Sequence, residues 1–383
     1  MTSTSPVPLT TRNACLEDLV DLLRHQQAHK VDVVVHADQI RAEGTQLRIA
    51  GTPPMLSERG VTTTSGLYMP TQVCDQGLAN KLGIPLPYLR RLREHKPGLY
   101  DTNVNGWLAD ADRRFLVRAL RGGGEHANEH GVARAFLSDS YRIIDNLDVL
   151  MAALDGIRQA GVQVQIDGCD LTERRMYVRV VCEQVRALAP DLLRDYRSPF
   201  TGQAGADCPA VFAGFVVTNS EVGEGAFTIV PRLVVQVCRN GMTITTDAAR
   251  HVHLGGRMDE GVVRWSADTQ DKNLALVTAQ TRDAITTFLD IDYVRAKISE
   301  MSRLADTRIT DPTATVELVA KRLSFTDEQQ RQILSHFIQG ADLSAGGVMH
   351  AVTSAAQTLP DADAAHEMES QALRALQLAA IGR

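Results

Sequence analysis

The sequence predicts an α+β fold: a mainly antiparallel sheet core with packed helices, a small helix-turn-helix-like insert before it and a helical C-terminal region after it. Apolar segments that alternate with period two, as half-buried strands do, concentrate between residues 112 and 250. Apolar residues at helical spacing dominate after that stretch, and two short helical segments precede it. We therefore expect an N-terminal helix with short strands and a linker (1–66), a helical hairpin (67–111), the sheet core (112–262) and the C-terminal helices (263–383).

The N-terminal region combines helical and extended patterns. Ala14–His25 has apolar residues at helical spacing, whereas Val31–Val35 and Gln46–Ile49 are predicted as strands. Residues 51–66 are rich in Gly, Pro, Ser and Thr, which is typical of a linker. The segment Thr71–Glu94 is predicted as two short helices separated by a turn that begins at Gly83.

The sheet core is expected to open with two strands and a helix. Phe115–Leu120 and Val132–Ile143 are predicted as strands joined by a glycine-rich loop. Asn146–Gln159 has one apolar face, which predicts a helix packed on the sheet, and Gly161 is expected to end that helix.

The later strands are marked by alternation and by turn residues. Asn240-Gly241 predicts a hairpin turn between the last two strands. Pro231 has no backbone N–H, so we expect its strand to lie at a sheet edge or to be bulged. Three strands followed by a long helix are similar in order to single-strand annealing proteins, an analogy of fold alone. The strands are predicted at Val162–Ile166, Met176–Val181, Val211–Thr218, Phe227–Val237 and Met242–Thr246.

The C-terminal region carries the patterns of several helices. Leu274–Leu289 has apolar residues on one helical face, which predicts a long helix. Thr326 and Gln329 have the spacing of a capping box, and Gly340 is expected near the end of the helix that they begin. Two further helices are predicted at Gly347–Gln357 and Ala362–Leu378.

Composition limits the classes of function. A net charge of −6 with 44% hydrophobic and 22% charged residues fits a folded chain that does not bind polyanions over its whole surface. The six cysteines are scattered without a CxxC pair, which favours reduced thiols. The N-terminus lacks the apolar segment of a signal peptide, and no apolar run reaches the length of a membrane span. We therefore expect a cytoplasmic protein without a membrane partner.

A local surplus of cations lies in this acidic chain. Residues 81–121 contain nine Lys or Arg against four Asp or Glu, with aromatic rings interleaved. Phosphates pair with such cations and unpaired bases stack on such rings. The second helix of the hairpin begins with Pro85-Leu86-Pro87, which offers no polar side chain to read bases, so weak sequence preference is expected. The alternative is a solvated face with core aromatics. The candidate nucleic-acid-binding residues are Tyr88, Arg90, Arg91, Arg93, Lys96, Trp107, Arg113, Arg114, Arg118 and Arg121.

A second candidate site surrounds two alternate histidines. His251 and His253 would point to the same face of a strand, as metal ligands must, and Asp247, Asp259 and Glu260 lie nearby in sequence. No third ligand stands at the spacing of a known metal motif, so surface or turn histidines are the alternative. We predict no metal and no cofactor.

Several strings occur in a fixed order along the chain: NVNGWL at 103–108, SDSYRIIDN at 138–146, TNSEVG at 218–223, CRNGM at 238–242 and AGGVMHAVT at 345–353. Together they resemble the phage- and plasmid-like "domain of unknown function 932" family, from about residue 60 to the C-terminus. The resemblance implies an association with mobile DNA and implies no reaction. The residue types also suit strand ends, helix caps and turns. The motif residues are Tyr141, Arg142, Asp145, Asn146, Asn219, Ser220, Asn240 and Gly241.

Three hypotheses of function follow. The leading one is a nucleic-acid-binding accessory protein of phage or plasmid replication or recombination, with single-strand annealing as its most specific form. Its partners would be single-stranded DNA and further copies of the chain. One alternative is a metal-dependent hydrolase or nuclease that uses the groups near 247–260. The other is a non-catalytic scaffold or regulatory protein that acts through its C-terminal helices.

Overall fold

The structure, a computed structural model, describes residues 8–52, 55–57, 60–62, 64–122, 130–141, 143–239, 241–251 and 267–381. In the described residues the strands all lie before residue 252, where they form mainly antiparallel sheets interspersed with helices, and the chain from residue 267 onward is helical, so the predicted α+β class is confirmed. The strands are β1 (Thr11–Ala14), β2 (Lys30–His36), β3 (Ile40–Glu43), β4 (Gln46–Ile49), β5 (Met55–Ser57), β6 (Gly60–Thr62), β7 (Gly66–Pro70), β8 (Arg114–Leu120), β9 (Gly131–Ser138), β10 (Gln165–Leu171), β11 (Met176–Leu188), β12 (Ala210–Asn219), β13 (Phe227–Val235), β14 (Gly241–Thr243) and β15 (Ala249–His251). The helices are α1 (Leu16–His29), α2 (Gln72–Leu82), α3 (Leu86–His95), α4 (Pro97–Ala109), α5 (Asn146–Ala160), α6 (Pro190–Leu193), α7 (Ala267–Phe288), α8 (Ile291–Ala305), α9 (Pro312–Leu323), α10 (Asp327–Gly340), α11 (Ala345–Thr358), α12 (Ala362–Ser370) and α13 (Ala372–Ile381).

The described part of residues 30–138 forms one module, which we call the inserted module. Its six-stranded sheet has the order β2-β8-β9-β7-β4-β3, and its neighbouring strands are antiparallel except for the parallel pair β7 and β9. Helices α2, α3 and α4, which we call the three-helix unit, pack their apolar residues against β2, β8 and β9. Val33 and Val117 pair across β2 and β8 inside this core.

Residues 8–29 and the described part of 141–381 form a second body, which we call the host module. Its sheet has the order β1-β10-β11-β12-β13-β14, with β15 paired to β13. Helices α1, α5 and α7 and the C-terminal helices share one continuous apolar core with this sheet. The chain therefore leaves the host module after α1, builds the inserted module and returns at α5.

The sequence-based boundaries differ from this division. The strands predicted at 115–120 and 132–143 were expected in one sheet with the strands after residue 160. In the structure β8 pairs with β2 and β9 pairs with β7, so both belong to the sheet of the N-terminal strands. Alternation predicts that a segment is a strand, whereas its partner depends on packing between distant segments.

Several elements differ in extent from the predictions. The helix α4 was not predicted, because Pro, Gly and Asn lower the helical signal of its sequence. The strand β10 begins at Gln165 rather than at 162, and β11 continues to Leu188 rather than ending at 181. A segment predicted as one C-terminal helix is divided into α12 and α13.

Pro231 lies inside the sheet at a change of partner. The strand β13 pairs along its length with β12, and Pro231 stands opposite Phe215. On its other side β13 pairs with β15 through residues 227–229 and with β14 through residues 232–234. A residue without a backbone N–H fits the gap between these two short partners, so the expected edge position is replaced by this local interruption.

The predicted signals of helix boundaries can be checked directly. Thr326 and Gln329 form the capping box at the start of α10. Gly340 is the last residue of α10, and Ala341 adopts the left-handed conformation after it. Gly161 is left-handed at the end of α5, as expected. Among the helices of the described residues, none has the length and apolar character needed to cross a bilayer.

Candidate functional site

The three-helix unit exposes several of the predicted cations. Arg91 and Lys96 are exposed and Arg90 is half-buried on the surface of α3 and just beyond it. Arg113 stacks its guanidinium over the Phe115 ring at 4.9 Å. These cations lie on the surface of the unit rather than in its core, as contacts with phosphates require.

Two of the predicted rings are exposed in the same unit. Tyr88 retains 46% and Trp107 retains 51% of its accessible surface, whereas Phe115 is buried in the core. Large aromatic rings are usually buried to a greater extent, so an exposed pair beside cations calls for an explanation other than core packing.

The connections between the helices bring Arg113 and the rings of Tyr88 and Trp107 to the same end of the three-helix unit. Arg113 donates a hydrogen bond to the carbonyl of Lys81, at the end of α2. The short turn 83–85 joins that end to α3, where Tyr88 lies, and residues 110–113 join Arg113 to α4, where Trp107 lies. The exposed rings therefore belong to the same end of the three-helix unit as Arg113.

Two predicted cations are internal instead. The guanidinium of Arg93 pairs with the buried carboxylate of Asp75 and donates to the carbonyls of Thr45, at 2.9 Å, and Pro70, at 3.1 Å. It thereby ties α3 to α2 and to the strands. Arg118 is 1% exposed and belongs to the interface between the modules.

The remaining cations of the set lie at the ends of β8. Arg114 is exposed at the start of the strand and pairs with Asp139 at 3.3 Å. Arg121 follows the strand, where its backbone N–H donates to the carbonyl of His29 at 2.9 Å and its side chain is half-buried.

A cluster of buried charges joins the two modules. Arg118 forms a bidentate pair with Asp32, at 2.9 and 3.1 Å, and also binds Asp145 at 2.6 Å. Its remaining amino group donates to the backbone carbonyl of Glu221 at 2.5 Å. We call this set the interface charge cluster; its members are Lys30, Asp32, Arg118, Arg134, Asp145 and Glu221.

The charges of this cluster are closely matched. Lys30 binds Asp145 with 2.5 Å between Nζ and Oδ2, and Arg134 binds Glu221. Burial acts to raise the pKa of Asp145, but Arg118 and Lys30 outweigh it and hold that pKa below its usual value. The same balance, with Arg134 and Arg118 as the cations, lowers the pKa of Glu221. Both carboxyl groups are therefore ionised at neutral pH.

The structure brings four family-motif residues together at this cluster. Asp145 belongs to it directly, and the backbone N–H of Asn146 donates to the carboxylate of Glu221 at 2.8 Å. The side-chain amide of Asn219 donates to the side-chain oxygen of Asn146 at 2.8 Å. Ser220 accepts from the N–H of Glu224 and donates to the carbonyl of Arg174, which holds the turn that carries Glu221.

The other motif residues lie elsewhere or outside the described part. Tyr141 is half-buried, and burial raises the pKa of its hydroxyl. Gly241 begins β14 opposite Val234, and a Cβ at that position would collide with the guanidinium of Arg232. Arg142 and Asn240 lie outside the described residues.

The histidine site is described only in part. His251 ends β15, where it pairs with Phe227, while His253, Asp259 and Glu260 lie outside the described residues. Asp247 accepts from the Tyr293 hydroxyl at 2.9 Å and pairs with Lys297 at 2.9 Å. Among the residues that the structure describes, no group of three His, Cys, Asp or Glu side chains is arranged to hold a metal ion.

The sequence-based reasoning missed most of the interface charge cluster. Asp32 lies in KVDVVV, Arg118 in FLVRAL and Arg134 in GVARAF, so each is a charge flanked on both sides by apolar residues of its strand. A charge at such a position is costly to bury without a partner, which makes it a signal of buried pairing. Counting charges along the segment 81–121 did not separate Arg118 from the exposed arginines.

Comparison of the chain with protein-family models, with curated proteins and with solved structures finds no match in any of the three. The geometry of the exposed cations and rings, and of the interface charge cluster, is therefore the basis on which a function can be assigned.

Proposed function

We propose that this protein binds single-stranded DNA through the three-helix unit, as an accessory protein of mobile-element replication or recombination. The observation that carries the proposal is the exposure of Tyr88 and Trp107 in the unit that also exposes Arg91 and Lys96. Cations of this kind bind phosphates, and exposed rings offer stacking surfaces for unpaired bases.

The first turn of α3 favours binding without base readout. It consists of Leu86, Pro87 and Tyr88, after Pro85 at the N-cap. A helix that reads base pairs presents polar side chains from its first turn to the major groove, and this one presents only the Tyr88 hydroxyl before Arg90. Stacking and phosphate contacts are the interactions that remain, and both are tolerant of sequence.

Acidic residues in the same unit limit the strength of binding. Glu94, Asp110 and Asp112 are exposed. Their repulsion of phosphates makes the attraction short-ranged, so we expect affinity to fall steeply as salt rises.

The proposed role in mobile-element replication or recombination is supported by a resemblance of sequence motifs and by an analogy of fold. The resemblance of the motif strings to a phage- and plasmid-like family favours it. The order of three strands and a long helix in single-strand annealing proteins is approached by β12, β13, β14 and α7, with the short strand β15 standing between β14 and α7. This partial analogy of fold makes annealing the most specific form of the proposal.

The first experiment tests the phosphate contacts. Fluorescence anisotropy with labelled single- and double-stranded oligonucleotides would be measured at several salt concentrations for the wild type and for the double variant Arg90→Ala, Arg91→Ala. We expect the variant to bind all sequences more weakly, with a salt slope reduced by about one to two units. The control is Lys321→Ala, Arg322→Ala, an adjacent exposed pair at the end of α9. An unchanged affinity and slope in the Arg90, Arg91 variant, with the control behaving like it, would overturn the proposal.

The second experiment tests stacking. Replacing both Tyr88 and Trp107 by Ala is expected to weaken single-strand binding by about 1–3 kcal/mol per ring while affecting duplex binding little. Phe200→Ala removes an aromatic ring of similar exposure, 47%, from the host module and serves as the control. Equal losses for single and double strands would argue against stacking.

A further inference from the structure

A cavity of about 380 Å³ lies in the host module, between α8, the turn after β14, and the junction of α12 and α13. Its volume is within the range of small-ligand sites. Its walls, formed by residues in 244–246, 297–304 and 370–377, include no residue of the three-helix unit. It therefore belongs to a different site from the proposed DNA contacts.

The floor of this cavity is aliphatic. Lys297, Met301 and Leu304 recur at the spacing of one helical face, so α8 directs its residues into the cavity. Leu304 and Leu373 are the partly exposed apolar lining residues, whereas Ile244, Met301 and Leu376 are at most 4% exposed and form the wall behind them. No aromatic ring lies among the lining residues, so the cavity offers no platform for a nucleobase or another flat ring.

Among the described residues, the rim of the cavity carries one cation without an ion pair. Lys297 pairs with Asp247 at 2.9 Å and with Glu300 at 3.4 Å, so two carboxylates more than balance its charge. Arg374 lines the same cavity from the first turn of α13 and is exposed. In the described part of the chain it makes no hydrogen bond or ion pair, which leaves its guanidinium fork free for a ligand.

We propose that this cavity binds an aliphatic monocarboxylate, with the carboxylate on Arg374 and the hydrocarbon chain on Leu304 and Leu373. A guanidinium fork matches the two oxygens of a carboxylate in a bidentate contact. Because Asp247 and Glu300 already offset Lys297, Arg374 alone is left to balance a ligand, and its single positive charge favours a carboxylate over a doubly charged phosphate ester.

Isothermal titration of the full chain with decanoate and with decan-1-ol tests the proposal. Wild type is expected to bind decanoate at one saturable site and more tightly than the alcohol. Arg374→Gln is expected to weaken decanoate binding about tenfold, or about 1.4 kcal/mol, and to leave binding of the alcohol unchanged. Arg303→Gln, an exposed change on α8 outside the cavity lining, is the control and should match the wild type.

A second variant tests the apolar floor without touching the cation. Leu304→Asp places a carboxylate where the hydrocarbon chain would lie, at a position already 36% exposed, and is expected to abolish binding of both probes. Circular dichroism establishes that each variant is folded. Equal decanoate affinity in Arg374→Gln and wild type, equal affinity of wild type for acid and alcohol, or the lack of a saturable site would each overturn the proposal.

Discussion

Arg118 shows how much a single residue can depend on its partners. It is 1% exposed, and its guanidinium contacts Asp32, Asp145 and the carbonyl of Glu221. A buried cation is tolerated only where such contacts replace its water, so the partners and the cation are interdependent. Arg114 begins the same strand and pairs at 3.3 Å with Asp139 at the surface, where water screens the interaction.

These two arginines give a matched pair of substitutions. Arg118→Met is expected to lower the free energy of unfolding by about 3–5 kcal/mol, because Asp32 and Asp145 lose the cation that compensates them. Arg114→Met is expected to cost less than about 1 kcal/mol. Urea unfolding followed by circular dichroism measures both, and similar losses for the two variants would contradict the role assigned to Arg118.

The burial of His350 predicts that the free energy of unfolding depends on pH in the acidic range. It is buried in α11, where its ring contacts that of Tyr196 and its Nε2 lies 3.2 Å from the carbonyl of Leu192. Burial lowers the pKa of its imidazole from 6.5 to about 4. At a pH between 4 and 6.5, His350 binds a proton in the unfolded chain but not in the folded chain. The free energy of unfolding therefore falls as the pH falls from 6.5 to 4, by up to about 1.4 kcal/mol per pH unit.

The variant His350→Gln removes this titrating group. Its free energy of unfolding, measured in urea at pH 7 and at pH 5, is expected to fall less with acid than that of the wild type. His25→Gln, at an exposed position on α1, is the control and should keep the slope of the wild type. A slope that is unchanged in His350→Gln would mean that other groups govern the acid response.

At the scale of elements, α4 closes the open edge of the inserted sheet. The strand β3 is the last in the sheet order, so its outer backbone groups lack a neighbouring strand. The side chain of Asn105 accepts from the N–H of Ala42 at 2.7 Å and donates to the carbonyl of Ala42 at 2.9 Å. A single amide thus replaces the two hydrogen bonds of a strand partner, which protects the edge from pairing with another chain.

Removing this amide tests its role. Asn105→Ala is expected to lower the free energy of unfolding by about 1–3 kcal/mol and to increase self-association, because both groups of Ala42 lose their partner. Asn103→Ala removes an amide that bonds only to Leu99 within the same helix, and is expected to change stability by less than about 0.5 kcal/mol. Light scattering measures self-association and urea unfolding measures the free energy of unfolding. Equal results for Asn105→Ala and Asn103→Ala would contradict the role assigned to Asn105 at the sheet edge.

Two helical glycines, Gly77 on α2 and Gly106 on α4, are expected to respond differently to replacement by alanine. A Cβ on Gly77 would lie 2.3 Å from the carbonyl oxygen of Phe136, so α2 approaches β9 more closely than any other residue type allows. Gly77→Ala is therefore expected to separate α2 from the sheet and to cost about 1–3 kcal/mol. Gly106→Ala on α4 meets no atom within 4 Å and is expected to be neutral or stabilising by up to about 1 kcal/mol. Thermal unfolding distinguishes them by the sign of the shift in Tm.

The elements that could be predicted are those with complete local signals. The capping box of Thr326 and Gln329, the glycine after α5 and the long apolar face of α7 depend on residues within a few positions of each other. The helix α4 has no such signal and is held by packing of Tyr100, Val104 and Leu108 in the core. Exposure within the basic segment was equally unpredictable, since Arg91 and Arg93 differ only in whether a buried carboxylate lies within reach.

At the scale of the molecule, two separate apolar cores meet at a polar interface. The core of the inserted module and that of the host module form distinct clusters, and a small apolar contact of Val73, Ala135 and Val222 lies between them. The interface charge cluster adjoins that contact, since Arg134 and Glu221 precede Ala135 and Val222 in the chain. Pairing of this kind could not be predicted from local pattern, because Asp32, Arg118 and Glu221 lie on segments distant in sequence.

This arrangement predicts how the whole molecule unfolds. Glu221→Gln keeps the size of the side chain and removes the charge that holds Arg134 and Arg118. We expect the wild type to give a single calorimetric transition and the variant to give two, one for each core. Glu224→Gln, a change in the same turn, removes a carboxylate that pairs at 3.5 Å with the partly exposed Arg174 but keeps the side-chain oxygen that accepts from Gln76 of the inserted module at 3.0 Å, so it should retain the single transition. One cooperative transition in Glu221→Gln would mean that the charges do not couple the modules.

The pairing of β1 with β10 has a consequence for the order in which the chain is made. Arg12 and Asp170 contact each other across 158 positions of sequence, while the strands and helices of the inserted module are complete once residue 138 has been synthesised. On the ribosome the interior segment can therefore reach its final shape while the first strand still waits for its partner to emerge. Vectorial synthesis thus allows the inner module to fold first, and the N-terminal strand can be secured only after residue 171 has emerged.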